Sequence, residues 1–185
     1  MRLASLTVAG LALWLSAAAA GASDFTRATA HYRGGHYQQA LDILQPLAAS
    51  GDPYAQYTIG VMYDDGRGVP KNLKLAHIWY LRAARNGLAD AQFMAGMFYA
   101  VGRGRPQEVV RAYVWLDLAA AGEFPHAERA RDQEMGEMTP AELHRAQAMA
   151  VKMQRQQPRQ SNCRAKSCVH PSWIDNPRYE PFGVK

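Results

Sequence analysis

Apolar residues recur at helical spacing through most of the chain, and glycine-rich segments that no helix absorbs break them up at regular intervals. Ala55, Ile59 and Met62 or Tyr63 make one stripe, followed by the breaker Asp65-Gly66-Arg67-Gly68-Val69-Pro70. Leu75, Ile78, Trp79 and the pair Ala83-Ala84 then predict the inner face of a second helix, closed by Asn86-Gly87 at its C-cap. One unit therefore reads as helix, glycine-rich turn, helix and short link. His77 lies on a helix that already has an apolar face and is expected to be solvated. Asp52-Pro53 reads as the N-cap and first helical residue of the unit. Downstream, Phe124 to Met135 predicts one more helix. Thr139-Pro140-Ala141-Glu142 is a capping box that opens another, with Leu143, Ala146, Ala150 and Met153 on one stripe.

The unit repeats with a period of 36 residues. Ala55, Gln56, Gly60, Tyr63, Gly66, Arg67, Gly68 and Pro70 recur as Ala91, Gln92, Gly96, Tyr99, Gly102, Arg103, Gly104 and Pro106. Ala76, Trp79, Ala83 and Ala84 recur as Ala112, Trp115, Ala119 and Ala120. A period of that length belongs to repeat architectures. Gly60 and Gly96 sit inside predicted helices, where glycine costs about 1 kcal/mol relative to alanine, so they are read as points of close helix approach. Upstream, Tyr32, Gly35, Tyr37, Ala40, Leu41, Leu44, Leu47, Ala48 and Gly51 form a degenerate first unit with the shorter turn Arg33-Gly34-Gly35-His36.

These residues resemble the Sel-one-like repeat family, a branch of the tetratricopeptide-like α/α solenoids. Its pattern is A-x-Y-x-x-G-x-x-Y-x-x-G-x-G-V-x-x-D, then A-x-x-W-x-x-x-A-A and a closing G. Residues 55–87 follow it with Asn72 for the Asp; residues 91–122 follow it with Phe93 for the first Tyr and Arg105 for the Val. The segment from Met138 onward is similar to the M-T-P-x-x-L-x-x-A-Q run that closes bacterial members. The resemblance covers roughly 24–156 and implies an all-α, short α/α solenoid: repeats at about 24–53, 54–89 and 90–123 and a cap at 124–156. The tail at 157–185, with four prolines and few aliphatics, reads from its composition as Pro-rich and irregular.

Composition agrees with helices. Removing the first 22 residues leaves 163 of 185, with 24 Ala against 17 Val, Ile and Thr together. Those first residues read as an export signal: Arg2, an uncharged apolar run from Leu3 to Ala20, and Ala20-Gly21-Ala22 before a cleavage point at Ser23. The expected location is periplasmic or secreted, with no membrane-spanning helix after cleavage. Lys and Arg number 21 against 16 acidic residues, a net charge of +5 that favours an anionic envelope neighbour without demanding nucleic acid.

Candidate chemistry is sparse. Gly66-Arg67-Gly68 and Gly102-Arg103-Gly104 lack the third glycine, the Lys-Ser/Thr and the preceding strand of a phosphate-binding loop. No His-Glu-x-x-His, Ser-x-x-Lys or Lys-Thr-Gly occurs. No catalytic residue, metal ligand or cofactor is assigned. Cys163 and Cys168 stand five apart in the tail, open to three readings: a small disulfide loop, two free thiols, or a redox or metal site with His170.

The resulting expectation is a non-enzymatic module binding a protein or peptide in a concave groove. In such solenoids the first helix of each pair lines the groove, which points to Gln56, Thr58 and Val61, then Gln92, Met94 and Met97, with Phe25 and Arg27 from the first unit. The alternative is a redox- or metal-active accessory working through Cys163 and Cys168.

Overall fold

The computed structural model describes residues 24–157. The export signal, Cys163, Cys168, His170 and the remainder of the tail lie outside the described residues. The chain folds as an all-α helical repeat, with eight helices and no strand among the described residues. They are α1 (24–33), α2 (Tyr37–Ala49), α3 (Pro53–Asp65), α4 (Leu73–Arg85), α5 (Ala89–Ala100), α6 (Val109–Ala121), α7 (Ala127–Gly136) and α8 (Pro140–Gln156).

Local chemistry sets the boundaries. Asp52 caps α3 by accepting from the Ala55 N–H at 2.9 Å, with Pro53 in the first turn. Asn72 caps α4 the same way through Leu75 N–H. Thr139 and Glu142 close a reciprocal capping box at the start of α8. Accepting the Thr139 backbone N–H, then its hydroxyl, holds the Glu142 carboxyl below its usual range.

Successive helices from α2 to α7 pack on one another, and α8 folds back on α6. Alanine lines the contacts: Ala40, Ala55, Ala76, Ala83, Ala91, Ala112 and Ala119 are wholly buried. Gly60 and Gly96 mark the tightest crossings. A Cβ on Gly60 would lie 2.8 Å from the Tyr80 ring, and one on Gly96 would lie 2.7 Å from Leu116 Cγ. Tyr80 and Leu116 are themselves 36 residues apart, so the same notch recurs in each unit.

The two turn glycines have separate tasks. Gly66 ends α3 in the left-handed conformation at φ 76°, its N–H closing on Met62 C=O. Gly68, at φ 73°, presses on the start of α2, where a Cβ would sit 2.5 Å from Tyr37 Cβ. Gly104 repeats this against Leu73 at 2.9 Å. The second glycine of each turn thus seats one unit on the preceding one.

Two boundaries differ from expectation. The inner face of α4 is Ala76, His77, Tyr80, Ala83 and Ala84, whereas Leu75 and Ile78 are 36% and 45% exposed. Tyr80 fills the Gly60 notch, and that contact turns Leu75 and Ile78 outward. Helix α7 begins at Ala127 rather than Phe124, because Glu123 and His126 take positive φ (60° and 64°) and break the backbone there. Phe124 stacks on Phe93 instead, with ring centroids 4.7 Å apart.

Candidate interaction surface

The residues expected to line a groove are for the most part interior. Gln56, Thr58, Val61, Gln92, Met94 and Met97 are all buried. Each of α3 and α5 lies between a helix of its own pair and one of the preceding pair, so both faces are covered and little is left for a ligand. Phe25 is half-buried with its ring 6.0 Å from Tyr54, and Arg27 is exposed, paired to Asp24 at 2.9 Å.

The two glutamines have a structural role. Gln56 Nε2 donates to Ala48 C=O at 3.0 Å, and Gln92 Nε2 to Ala84 C=O at 3.2 Å. Each thereby adds a second donor to a carbonyl at the end of the helix before it, which already accepts from the Gly51 or Gly87 N–H. Asn86 Nδ2 then donates to Gln56 Oε1 at 3.0 Å and to Gly51 C=O at 3.2 Å, sealing the link between units.

The turn arginines also point backward along the solenoid. Arg67 donates to Tyr32 Oη at 3.0 Å. Burial is the main reason the Tyr32 phenol is pushed up to about 12, against the opposing effect of Arg67. Arg103 pairs with Asp64 at 2.7 Å and stands over the Phe98 ring, while Tyr80 Oη donates to the other Asp64 oxygen at 3.4 Å. Asp64 is 2% exposed, and its desolvation raises the carboxyl despite Arg103.

His77 is interior rather than solvated, stacked on Phe98 at 5.5 Å and edge-on to Tyr99 at 4.8 Å. Arg105 Nη1 approaches Nδ1 at 3.4 Å. A guanidinium can only donate, so Nδ1 accepts and the proton sits on Nε2, which has no partner among the described residues. Burial, then the Arg105 charge, lower the imidazole pKa to about 4.

With the first helices enclosed, the second helices supply the accessible surface. Leu75, Ile78, Trp79 and Arg82 follow one another at i, i+3, i+4 and i+7 on α4, with Arg82 over the Trp79 ring at 4.4 Å. Apolar side chains beside an Arg–Trp stack are the composition of interface anchors. The stripe was legible as a stripe in the sequence; its outward direction was not. No helix among the described residues is long and apolar enough to cross a membrane.

Comparison with known proteins agrees with this architecture. The Sel1 repeat family matches residues 53–88 and 89–123, the pairs α3/α4 and α5/α6 with their links. No curated protein sequence matches the chain. A crystal structure of a protective antigen present in uropathogenic Escherichia coli strains, displaying an SLR fold, superposes with a TM-score of 0.68 at 24% identity. That alignment covers 74% of this chain and 30% of that one, and it shows the fold alone. The Sel1 repeat protein from Oxalobacter formigenes is 37% identical, with a TM-score of 0.55, over 58% of this chain and 44% of its own. The chain thus spans less than half the length of either protein. Sel1 repeats are generally protein–protein interaction modules and typically not enzymes. Two consecutive Sel1 repeats, seated on each other by glycine, glutamine and arginine at the same 36-residue register, thus form the centre of this all-α helical repeat chain.

Proposed function

We propose that the protein is an exported, non-enzymatic scaffold that holds a partner protein through the outward stripe of α4. The observation that carries the reading is Ile78, 45% exposed between Leu75 and Trp79, which groups three large apolar side chains and Arg82 on one face of α4. Large apolar side chains grouped on one helix face mark contact surfaces when a polar surround isolates them. Lys74 and Arg82 are both exposed on this helix and give the stripe a basic edge suited to an acidic envelope protein. Export follows from the Arg2, Leu3–Ala20 and Ala20-Gly21-Ala22 pattern.

A photo-crosslinker at position 78 tests the reading in living cells. The expected result is one discrete cross-linked product in the envelope fraction, lost on Leu75→Asp with the melting temperature unchanged. A diffuse set of products, or one indifferent to Leu75→Asp, overturns the stripe as the docking surface. The mass of the chain from that fraction tests export, since a mature form starting at Ser23 is expected.

A further inference from the structure

A second feature points to a more specific contact. The end of α5, the following turn and α7 enclose a cavity of about 110 Å³. Its lining joins buried Met97 and Glu134 to the exposed residues Val101, Gln107, Gln133 and Glu137. Glu134 is 6% exposed, yet its Oε2 has no hydrogen-bond partner among the described residues. Unpaired buried carboxylates destabilise a fold, because desolvation is not offset by a counter-charge. Here Glu137, at the C-cap of α7, adds negative charge rather than relieving it.

The cavity is too small for a drug-sized ligand, which needs roughly 300–1,000 Å³. A divalent calcium ion takes about six to eight oxygen ligands, and no group of three His, Cys, Asp or Glu side chains is placed to hold a metal among the described residues. An anion is opposed by both carboxylates. A cationic side chain fits this lining: its aliphatic stem suits Met97 and Val101, and its charged head answers Glu134.

We infer that this cavity is the receptor for a basic side chain, Arg or Lys, presented by the partner protein. The inference rests on the interaction-module reading and adds a second, acidic contact point to the apolar stripe of α4. Occupation would give Glu134 the counter-charge it lacks in the free chain, so the group that weakens the unliganded fold becomes the one that recognises the ligand.

The test uses the full chain and the blocked peptide acetyl-Ala-Ala-Arg-Ala-Ala-amide, with the citrulline peptide as its neutral counterpart. The Met97 methyl resonance reports occupancy. Saturable binding of the arginine peptide is expected at roughly millimolar affinity, as suits one anchoring side chain. The citrulline peptide should bind about tenfold more weakly, and Glu134→Gln should lower arginine-peptide affinity by about the same factor. That variant should melt no lower than the parent, a result that separates lost recognition from lost folding. Equal affinity for the two peptides, indifference to Glu134→Gln, or no saturable shift would overturn the assignment. So would a Met97 shift that follows protein concentration without peptide, which would give the cavity to a second copy of the chain. If the peptide results fail in these ways while the position-78 cross-link still forms, only the cavity assignment falls and the scaffold reading stands.

Discussion

His77 sits 4% exposed between the rings of Phe98 and Tyr99, with the Arg105 guanidinium beside it, and its pKa is held down at about 4. In the unfolded chain a histidine titrates near 6.5. The folded state therefore refuses a proton that the unfolded state accepts, and stability falls as pH drops from about 6.5 towards 4. Asp64 and Glu134, both raised by burial, act in the opposite sense at lower pH, because each favours its protonated form when folded. A variant isolates the histidine. His77→Phe keeps a flat ring against Phe98 and removes the titration, so it should lose on the order of 2 kcal/mol less stability between pH 7 and pH 5 than the parent. Urea unfolding at the two pH values measures the difference, and parallel losses would place His77 in contact with solvent.

Among the helices, two glycines separate packing from propensity. At Gly96 a Cβ would lie 2.7 Å from Leu116 Cγ and 3.2 Å from the Leu116 nitrogen, so alanine forces α6 away from α5. Overpacking of this kind costs about 1–3 kcal/mol, more than the helix-propensity gain of up to about 1 kcal/mol. Gly136 ends α7 with nothing within 4 Å of its added Cβ. Gly136→Ala should therefore stabilise by about 0.5–1 kcal/mol while Gly96→Ala destabilises. Thermal midpoints moving in opposite directions check both; a rise for Gly96→Ala would mean that the α5–α6 contact is loose. The repeated glycine was readable as a close approach because nothing else justifies glycine mid-helix. Its partner, Leu116 or Tyr80, was not readable, since that depends on the crossing of two helices.

Across the whole molecule, stability passes from unit to unit through a few polar clasps. Arg103 of one unit neutralises Asp64 of the preceding one, and Asp64 is nearly inaccessible. Removing one partner of a buried pair leaves an uncompensated charge and costs about 3–5 kcal/mol; with Arg103 itself 27% exposed, the lower end applies. Arg103→Gln should thus destabilise by about 3 kcal/mol, and Asp64→Asn added to it should restore most of the loss. A double-mutant cycle by chemical unfolding reads that coupling. Strictly additive costs would show that neighbouring units do not communicate through this pair. A solenoid is a chain of such nearest-neighbour terms.

The period of 36 residues, the all-helical class, the caps at Asp52 and Thr139 and the turn glycines were all legible in the chain itself. Each depends on backbone conformation or hydrogen bonds among residues a few positions apart, which local chemistry specifies. The burial of Gln56, Thr58, Val61, Gln92, Met94 and Met97 was not legible, nor were the interior place of His77, the outward turn of Leu75 and Ile78, or the unpaired carboxylate of Glu134. A single helix carries no record of how many neighbours will cover it. Helix α5 shows the point: its apolar residues mark no preferred face, because α4 packs on one side of it and α6 on the other. Which side chains remain for a partner follows from that enclosure, a property of helices brought together across the fold.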